Sequence, residues 1–188
     1  MNYTLNVNVI EEAGYSSAME GLALNKKQTS EKMQEVAQRL CNADHGHNKF
    51  LEHIHVWLLV EAPRYWWSQA DTYRLTSKSS ESTMHTLLKE LKNEDITIIM
   101  DRFESVYMLP EVLRTLQSAA KANRPIHEIK ALLPESFLQK RMWVLNYKNL
   151  REIFIQRYNH RLPHWRSFCD QVLAQLEHPE LLQGVIDD

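Results

Sequence analysis

The chain has 188 residues, 44% of them hydrophobic, and a formal charge of -2 at pH 7. This length is typical of one domain, and the apolar content is high enough for a core, which excludes disorder as the main state. The near balance of 22 basic and 24 acidic residues gives no net-charge argument for a nucleic-acid groove or an anionic membrane surface. We therefore expect a single domain over residues 1–188 that binds neither nucleic acid nor membrane.

The cysteine content bears on the compartment. Cys41 and Cys169 are the only cysteines, too few for a disulfide scaffold or a structural zinc site, which fits a reducing cytosol. The first ten residues lack the basic and apolar regions of a signal peptide, and no apolar run reaches the roughly 18 to 20 residues that span a bilayer. These features predict a cytoplasmic protein.

The first half of the chain predicts strands and helices in mixed order. Apolar and polar residues alternate over 3–9, which indicates a strand, and helical spacing predicts a helix over 29–39. The apolar stretch 50–62 predicts the longest strand. A helix with Pro63 in its first turn should follow, and residues 76–83 are predicted to form a polar loop.

The second half is predicted to be mainly helical. One helix should start near Glu81 and extend to about Lys92, whereas the apolar segment 95–100 fits either a strand or a helix end. Further helices are expected over 111–122, 126–132, 147–158 and 164–176. The chain has 4 glycines, and none belongs to a dinucleotide or Walker phosphate loop. The pattern therefore indicates a helix-rich α/β protein outside both common nucleotide-binding folds.

Four histidines lie close together in the sequence, at positions 45, 47, 53 and 55. Alternation in a strand would place His53 and His55 on one face, but no carboxylate or cysteine completes a recognised metal-ligand spacing. We predict no metal site. The five tryptophans are expected to supply core or interface packing first, with stacking on a ring or base as the other interpretation.

Two segments, 45–83 and 132–157, combine apolar packing with polar groups that a core does not require. The first contains His47-Asn-Lys-Phe-Leu-Glu52-His53, a strand, Pro63 and Gln69, then Thr72-Tyr73-Arg74 and, after seven residues, Ser82. The second contains Leu133-Pro134, Trp143, Asn146-Tyr147-Lys148-Asn149-Leu150 and Arg157.

The order and spacing of these pieces resemble the flavin-dependent thymidylate synthases. That family has an H-x-x-P-F-E-H turn, a strand, a proline-started helix with a glutamine, and the signature Arg-His-Arg, seven residues, Ser. The resemblance implies an α/β (α+β) fold with a mainly antiparallel sheet flanked by helices. It also implies a homotetramer whose active sites lie where subunits meet.

The resemblance also implies the residues of the site, although it assigns no catalytic side chain. Those implied to bind a pyrimidine nucleoside monophosphate are Gln69, Arg74, Ser82, Lys130 and Arg157. Those implied to bind the flavin are His47, Tyr73, Asn146 and Lys148. Lysine and arginine would supply positive charge to the phosphate, and hydroxyls such as that of Ser82 would donate hydrogen bonds.

The signature departs from the family at several positions. Thr72 and Tyr73 stand where the family has Arg and His, Ser79-Ser80 replaces an Asn-Glu pair, and Met84 replaces an Arg. Because flavin phosphates need cationic and hydrogen-bonding partners, these changes predict that FAD binding is weak or lost. NADPH and methylenetetrahydrofolate would be needed only if the protein is active.

The function implied is one-carbon transfer to C5 of a pyrimidine nucleotide such as dUMP, with reduced flavin as the hydride source. A related C5 modification, such as hydroxymethylation, is a variant of it. The alternative is a non-catalytic or flavin-independent relative that keeps the nucleotide contacts, and Thr72, Tyr73 and Met84 favour that alternative. A purely structural oligomer would require the polar residues to be incidental.

Overall fold

The computed structural model describes residues 3–27, 29–43, 46–83, 86–104, 107 and 109–184. The strands within these ranges are β1 (Asn6–Ala13), β2 (His55–Pro63), β3 (Ser77–Ser80) and β4 (Leu138–Asn146). The α-helices there are α1 (Tyr15–Lys26), α2 (Gln34–Leu40), α3 (Arg64–Ala70), α4 (Leu87–Asn93), α5 (Ile96–Met100), α6 (Leu109–Lys121), α7 (Ile126–Leu132), α8 (Tyr147–Arg157), α9 (Pro163–Leu173) and α10 (Glu180–Gln183). Short 3-10 helices span Ser30–Lys32 and Lys49–His53.

The strands form an open antiparallel sheet in the order β1-β2-β4-β3. The chain divides into two compact units. The helical unit comprises Met1–Leu5, Glu61–Thr72 and Ser80–Arg141, and the sheet unit comprises Asn6–Val60, Tyr73–Ser79 and Met142–Asp188. No helix among the described residues is both long and apolar enough to cross a membrane.

The core of the helical unit is built on α6. Its apolar residues recur every three or four positions, and Leu109, Leu113, Leu116 and Ala120 are buried on one stripe. This stripe packs against buried side chains of α4, α5 and α7. A helix with such a stripe gains most of its stability from packing, since propensity alone rarely holds an isolated helix of this length.

The core of the sheet unit lies around β2, α8 and α9. Alternate residues of β2, namely Val56, Leu58 and Val60, are fully buried, as expected of a strand with one face on the core. The aromatic side chains Trp143, Tyr147, Phe154, Trp165 and Phe168 fill much of the space around them.

Side-chain amides complete the hydrogen bonding of β1, which lies at one edge of the sheet. Val7 N donates to Gln171 Oε1 at 2.9 Å, and Val9 N donates to Gln175 Oε1 at 3.1 Å. Gln175 Nε2 donates in turn to Val7 O at 2.9 Å. The edge backbone groups are thereby paired within the chain, which makes them less available for pairing with another molecule.

A capping box starts α8. Asn149 N donates to Asn146 Oδ1 at 2.9 Å, and Asn146 N donates to Asn149 Oδ1 at 3.3 Å. The two amides satisfy backbone donors that the first turn leaves unpaired. The helix then runs eleven residues to Arg157, so the cap and the final arginine lie at opposite ends of one rigid element.

Several sequence predictions are confirmed. The helix over 126–132 has the predicted bounds, and those over 111–122, 147–158 and 164–176 differ from α6, α8 and α9 by a few residues at their ends. The predicted fold class, a mixed α/β protein with an antiparallel sheet, is also confirmed.

Other predictions about the elements are wrong. Residues 76–83 are not simply a loop, because β3 spans Ser77–Ser80. The first strand runs from Asn6 to Ala13 rather than over 3–9, and the first part of the predicted helix 29–39 is a 3-10 turn. The predicted strand 50–62 begins only at His55, since Lys49–His53 forms a 3-10 helix. His53 and His55 therefore do not share the face of one strand.

Candidate functional site

Tyr73 and Arg157 form the best-defined polar contact between predicted site residues, and both lie in the sheet unit. Arg157 ends α8, and its Nε donates to Tyr73 Oη at 2.9 Å. The Tyr73 hydroxyl donates in turn to Gln156 Oε1 at 3.1 Å. The phenol thus connects two consecutive side chains in the last turn of α8, although it was predicted as a flavin contact and Arg157 as a phosphate contact.

An aromatic wall backs the same arginine. The Arg157 guanidinium carbon lies 5.1 Å from the ring centroid of Trp165 and 5.7 Å from that of Tyr73. The two rings meet edge to face with centroids 6.0 Å apart. Attraction between a cation and the face of an aromatic ring is strongest for tryptophan, so Arg157 is oriented by two rings as well as by the Tyr73 hydroxyl.

Tyr73, Arg157 and Trp165 form a cluster whose positive charge at neutral pH comes from arginine. Burial raises the pKa of Tyr73, and the hydrogen bond and charge of Arg157 oppose that rise only in part. Burial, followed by the charges of Arg157 and Arg161, lowers the pKa of His160. Tyr73 is therefore an uncharged phenol and His160 is mainly neutral, and the cluster presents positive charge through its guanidinium groups.

Lys78 is a further cation of the sheet unit, and the sequence analysis assigned it no role. It lies on β3, donates to Thr76 Oγ1 at 3.2 Å, and places its Nζ 4.8 Å from the Trp143 ring centroid. Trp143 contacts Phe168, and Phe168 contacts Trp165. A chain of aromatic contacts therefore joins the ring beneath Lys78 to the ring beside Arg157. The local sequence SKSS carries no signal for the contact of Lys78 with Trp143, because it has no apolar alternation and the partner Trp143 lies on another strand.

Two predicted flavin contacts are engaged within the chain. Lys148 Nζ forms an ion pair with Glu52 Oε1 at 3.2 Å, and the Asn146 side chain caps α8. His47 is exposed and, together with His53, lines a cavity of about 250 Å³ beside α1 and the Lys49–His53 turn. His47 is thus a predicted flavin residue that lines a cavity.

The remaining predicted substrate residues are divided between the two units. Arg74 belongs to the sheet unit and is exposed between α3 and β3. Gln69, Ser82 and Lys130 belong to the helical unit, where Gln69 is partly buried on α3 and Ser82 and Lys130 are exposed.

Thr72 stands where the signature has its first arginine. Its hydroxyl donates to the Gln69 carbonyl oxygen at 2.7 Å, so the side chain satisfies the end of its own helix. Met84, which replaces the later arginine, lies outside the described residues. His45 lies outside them as well. Among the described residues no three His, Cys, Asp or Glu side chains cluster closely enough to hold a metal ion.

A family model shows the family of this chain, and solved structures show its fold. A family model described as thymidylate synthase complementing protein matches residues 2–179. No curated protein sequence matches the chain.

Solved structures match over almost the whole chain. The crystal structure of thymidylate synthase X (ThyX) from Helicobacter pylori with FAD and dUMP has a TM-score of 0.86 at 17% identity, covering 98% of this chain and 100% of its own. A second structure of that protein, also with FAD and dUMP, has a TM-score of 0.85 at 17% identity, covering 96% and 99%. The UMP/dUMP methylase PolB from Streptomyces cacaoi, bound with 5-Br dUMP, has a TM-score of 0.70 at 13% identity, covering 99% and 94%. These similarities establish the fold.

Proposed function

Because the chain belongs to the thymidylate synthase complementing protein family, we propose that it binds a pyrimidine deoxynucleoside monophosphate for one-carbon transfer to C5. The structural neighbours crystallised with dUMP or 5-Br dUMP support this choice of substrate class. These neighbours are described as a thymidylate synthase and a UMP/dUMP methylase, and the family model as a thymidylate synthase complementing protein. That favours a catalytic protein over the non-catalytic alternative.

The observation that carries the proposal is the arrangement of Tyr73, Arg157 and Trp165. A guanidinium matches the geometry of a phosphate group, and here a hydroxyl and two rings restrain it. Core packing alone does not require a partly exposed arginine at the end of a helix to be held on several sides. We assign Arg157 as the principal phosphate contact.

A monophosphate carries close to two negative charges, so a single arginine leaves part of that charge uncompensated. Lys130 and Arg74 are the proposed additional cations. Both are exposed, and a lysine would act as a point charge rather than as a bidentate fork. Gln69 and Ser82 are proposed to donate hydrogen bonds to the nucleotide, because an amide and a hydroxyl both suit that role.

The four proposed flavin residues offer FAD a poor fit. The charge of Lys148 is paired with Glu52, the Asn146 amide caps a helix, and the Tyr73 hydroxyl bridges Gln156 and Arg157. His47 remains as a contact beside a cavity. We therefore propose that the chain binds FAD weakly. Bound flavin would supply the hydride. NADPH and methylenetetrahydrofolate would be needed only if the protein catalyses the one-carbon transfer.

The proposed assembly is a homotetramer with sites shared between subunits, as the sequence resemblance implies. Cationic and hydrogen-bonding groups of a neighbouring copy would then complete each site, to which a single chain contributes only some of the residues. The single-domain organisation and a cytoplasmic location likewise stay predictions.

Release of tritium from dUMP labelled at C5 tests the proposed function, because replacement of the C5 hydrogen is specific to chemistry at that carbon. With methylenetetrahydrofolate, NADPH and saturating FAD, we expect slow release above the rate without protein. Calorimetry with unlabelled dUMP provides the matched measurement. Binding without tritium release would support the non-catalytic alternative, and absence of binding would contradict the proposal altogether.

A further inference from the structure

The Tyr73 hydroxyl is placed to control the direction in which the Arg157 side chain points. It accepts from Arg157 Nε and donates to Gln156 Oε1. The first contact joins residues that are 84 positions apart in the sequence, and the second joins residues that are 83 positions apart. A hydroxyl that accepts from one side chain and donates to its neighbour has a single consistent hydrogen orientation, so the two bonds reinforce each other.

The contacts restrict a side chain that is otherwise flexible. An arginine has several rotatable bonds, and it loses conformational freedom when it binds a ligand. The Tyr73 hydroxyl, the Tyr73 ring and the Trp165 ring all restrain the guanidinium before a ligand arrives. The loss of freedom on binding is therefore smaller than for an unrestrained arginine.

We propose that Tyr73 is a positioning residue, which holds the Arg157 guanidinium for the phosphate group of the nucleotide instead of contacting the flavin. The inference rests on the proposed function, because it requires Arg157 to bind phosphate. It assigns the tyrosine of the altered signature to nucleotide recognition. The neutral state of the phenol agrees with this role, since a phenolate would pair with the guanidinium and compete with the phosphate.

The test is a double-mutant cycle with Tyr73→Phe and Arg157→Ala, in which calorimetry measures affinity for dUMP and for deoxyuridine. We expect Tyr73→Phe to weaken dUMP binding about tenfold, which corresponds to about 1.4 kcal/mol, and to leave deoxyuridine binding unchanged. In the Arg157→Ala protein, most of the preference for dUMP over deoxyuridine should be lost. Adding Tyr73→Phe should then cause no further loss, because a positioning residue acts only through its partner.

Tyr158→Phe is the matched control. Tyr158 follows Arg157 in the sequence, and the Arg166 guanidinium carbon lies 3.7 Å from its ring centroid. This variant also removes a phenolic hydroxyl beside an arginine, but it leaves the contact between Tyr73 and Arg157 intact. We expect it to keep the wild-type ratio of dUMP to deoxyuridine affinity.

The outcomes separate the inference from the proposed function. Unchanged dUMP affinity in Tyr73→Phe, an equal loss for dUMP and deoxyuridine, or the same loss in the Arg157→Ala background would overturn the positioning role. In all three cases a wild-type preference for dUMP would leave the proposed function standing. A wild-type protein that binds dUMP no more tightly than deoxyuridine would contradict both.

Discussion

Tyr73 Oη accepts a hydrogen bond from Arg157 Nε at 2.9 Å. The middle residue of the altered signature is thereby bonded to the arginine that ends α8. A phenol cannot replace the charge of a histidinium or an arginine, but it can hold a guanidinium by accepting its N–H and offering a ring face. The presence of Tyr73 in place of the histidine of the signature therefore weakens the proposed interaction with the flavin and supports the proposed interaction with the nucleotide.

Thr72→Arg should tighten flavin binding. The Thr72 side chain is exposed and its hydroxyl donates to the end of its own helix, so the substitution restores a cation at little structural cost. A charge-assisted hydrogen bond contributes roughly 1.5 to 3 kcal/mol, which predicts about a tenfold or greater gain in FAD affinity. Fluorescence titration of FAD measures it, and absorbance of the purified wild-type protein should show no stoichiometric flavin.

Ser68→Arg is the control for that variant. Ser68 is likewise exposed on α3, and its hydroxyl donates to the Arg64 carbonyl oxygen at 3.1 Å. Ser68→Arg adds the same charge one helical turn before position 72. An equal gain in FAD affinity from both variants would show a general electrostatic effect and contradict a specific role for position 72.

Gly14→Ala should destabilise the sheet unit. Gly14 precedes α1 with φ at 100°, and a Cβ there would lie 2.0 Å from the His53 carbonyl oxygen. Strain at a left-handed position costs about 1 to 3 kcal/mol, and contact with a backbone atom adds to it. Chemical denaturation with urea measures the loss in the free energy of unfolding.

Gly21→Ala is the opposite case, at a position inside α1. A Cβ at position 21 would meet no atom within 4 Å, and alanine in a helix interior is favoured over glycine by about 0.5 to 1 kcal/mol. We therefore expect this variant to be more stable than the wild type. Equal stability of both variants would contradict the backbone contact between Gly14 and His53.

The free energy of unfolding should decrease as the pH is lowered, in part because of His160. Burial, followed by the charges of Arg157 and Arg161, lowers its folded-state pKa below the ordinary value of 6.5, so the unfolded chain takes up the proton first as pH falls. This contribution to the free energy of unfolding is present above about pH 6.5 and is lost as pH falls towards the folded-state pKa. Protonation of Nδ1 would also break the bond that Leu162 N donates to it at 3.1 Å.

His160→Asn should reduce that acid sensitivity, because the amide oxygen can accept the Leu162 N–H without titrating. Urea denaturation at several pH values between about 5 and 8, where histidine titrates, measures the difference. His127→Asn, at an exposed position of α7, is the comparison variant. Identical pH profiles for the wild type and His160→Asn would show that His160 makes no such contribution.

The sequence predicted the helices with a clear apolar stripe and missed elements without one. Leu109, Leu113, Leu116 and Ala120 recur at helical spacing, and burial against one core is enough to define α6. By contrast, β3 consists of the residues SKSS, which offer no apolar alternation. That strand depends on pairing in the sheet, and on side-chain contacts such as that of Lys78 with Trp143, neither of which a local pattern contains.

The site was predictable only as a set of residue types. The resemblance identified Tyr73 and Arg157 separately, but no spacing reveals a hydrogen bond between residues 84 positions apart. Trp165 was assigned to packing, and Lys78 to a loop. The contact of Trp165 with Arg157 and that of Lys78 with Trp143 depend on how β3, β4, α8 and α9 pack, which is a tertiary property.

The affinity of Arg157→Ala for dUMP and deoxyuridine, measured by calorimetry, tests the central claim most directly. We predict that the wild-type protein binds dUMP more tightly than deoxyuridine, and that the variant loses about 2 to 5 kcal/mol of dUMP binding with little change for deoxyuridine. Arg166→Ala, which removes an exposed arginine of α9 paired with Asp170 at 3.2 Å, should behave like the wild type. Equal wild-type affinity for the two ligands, or unchanged dUMP affinity in Arg157→Ala, would contradict the account.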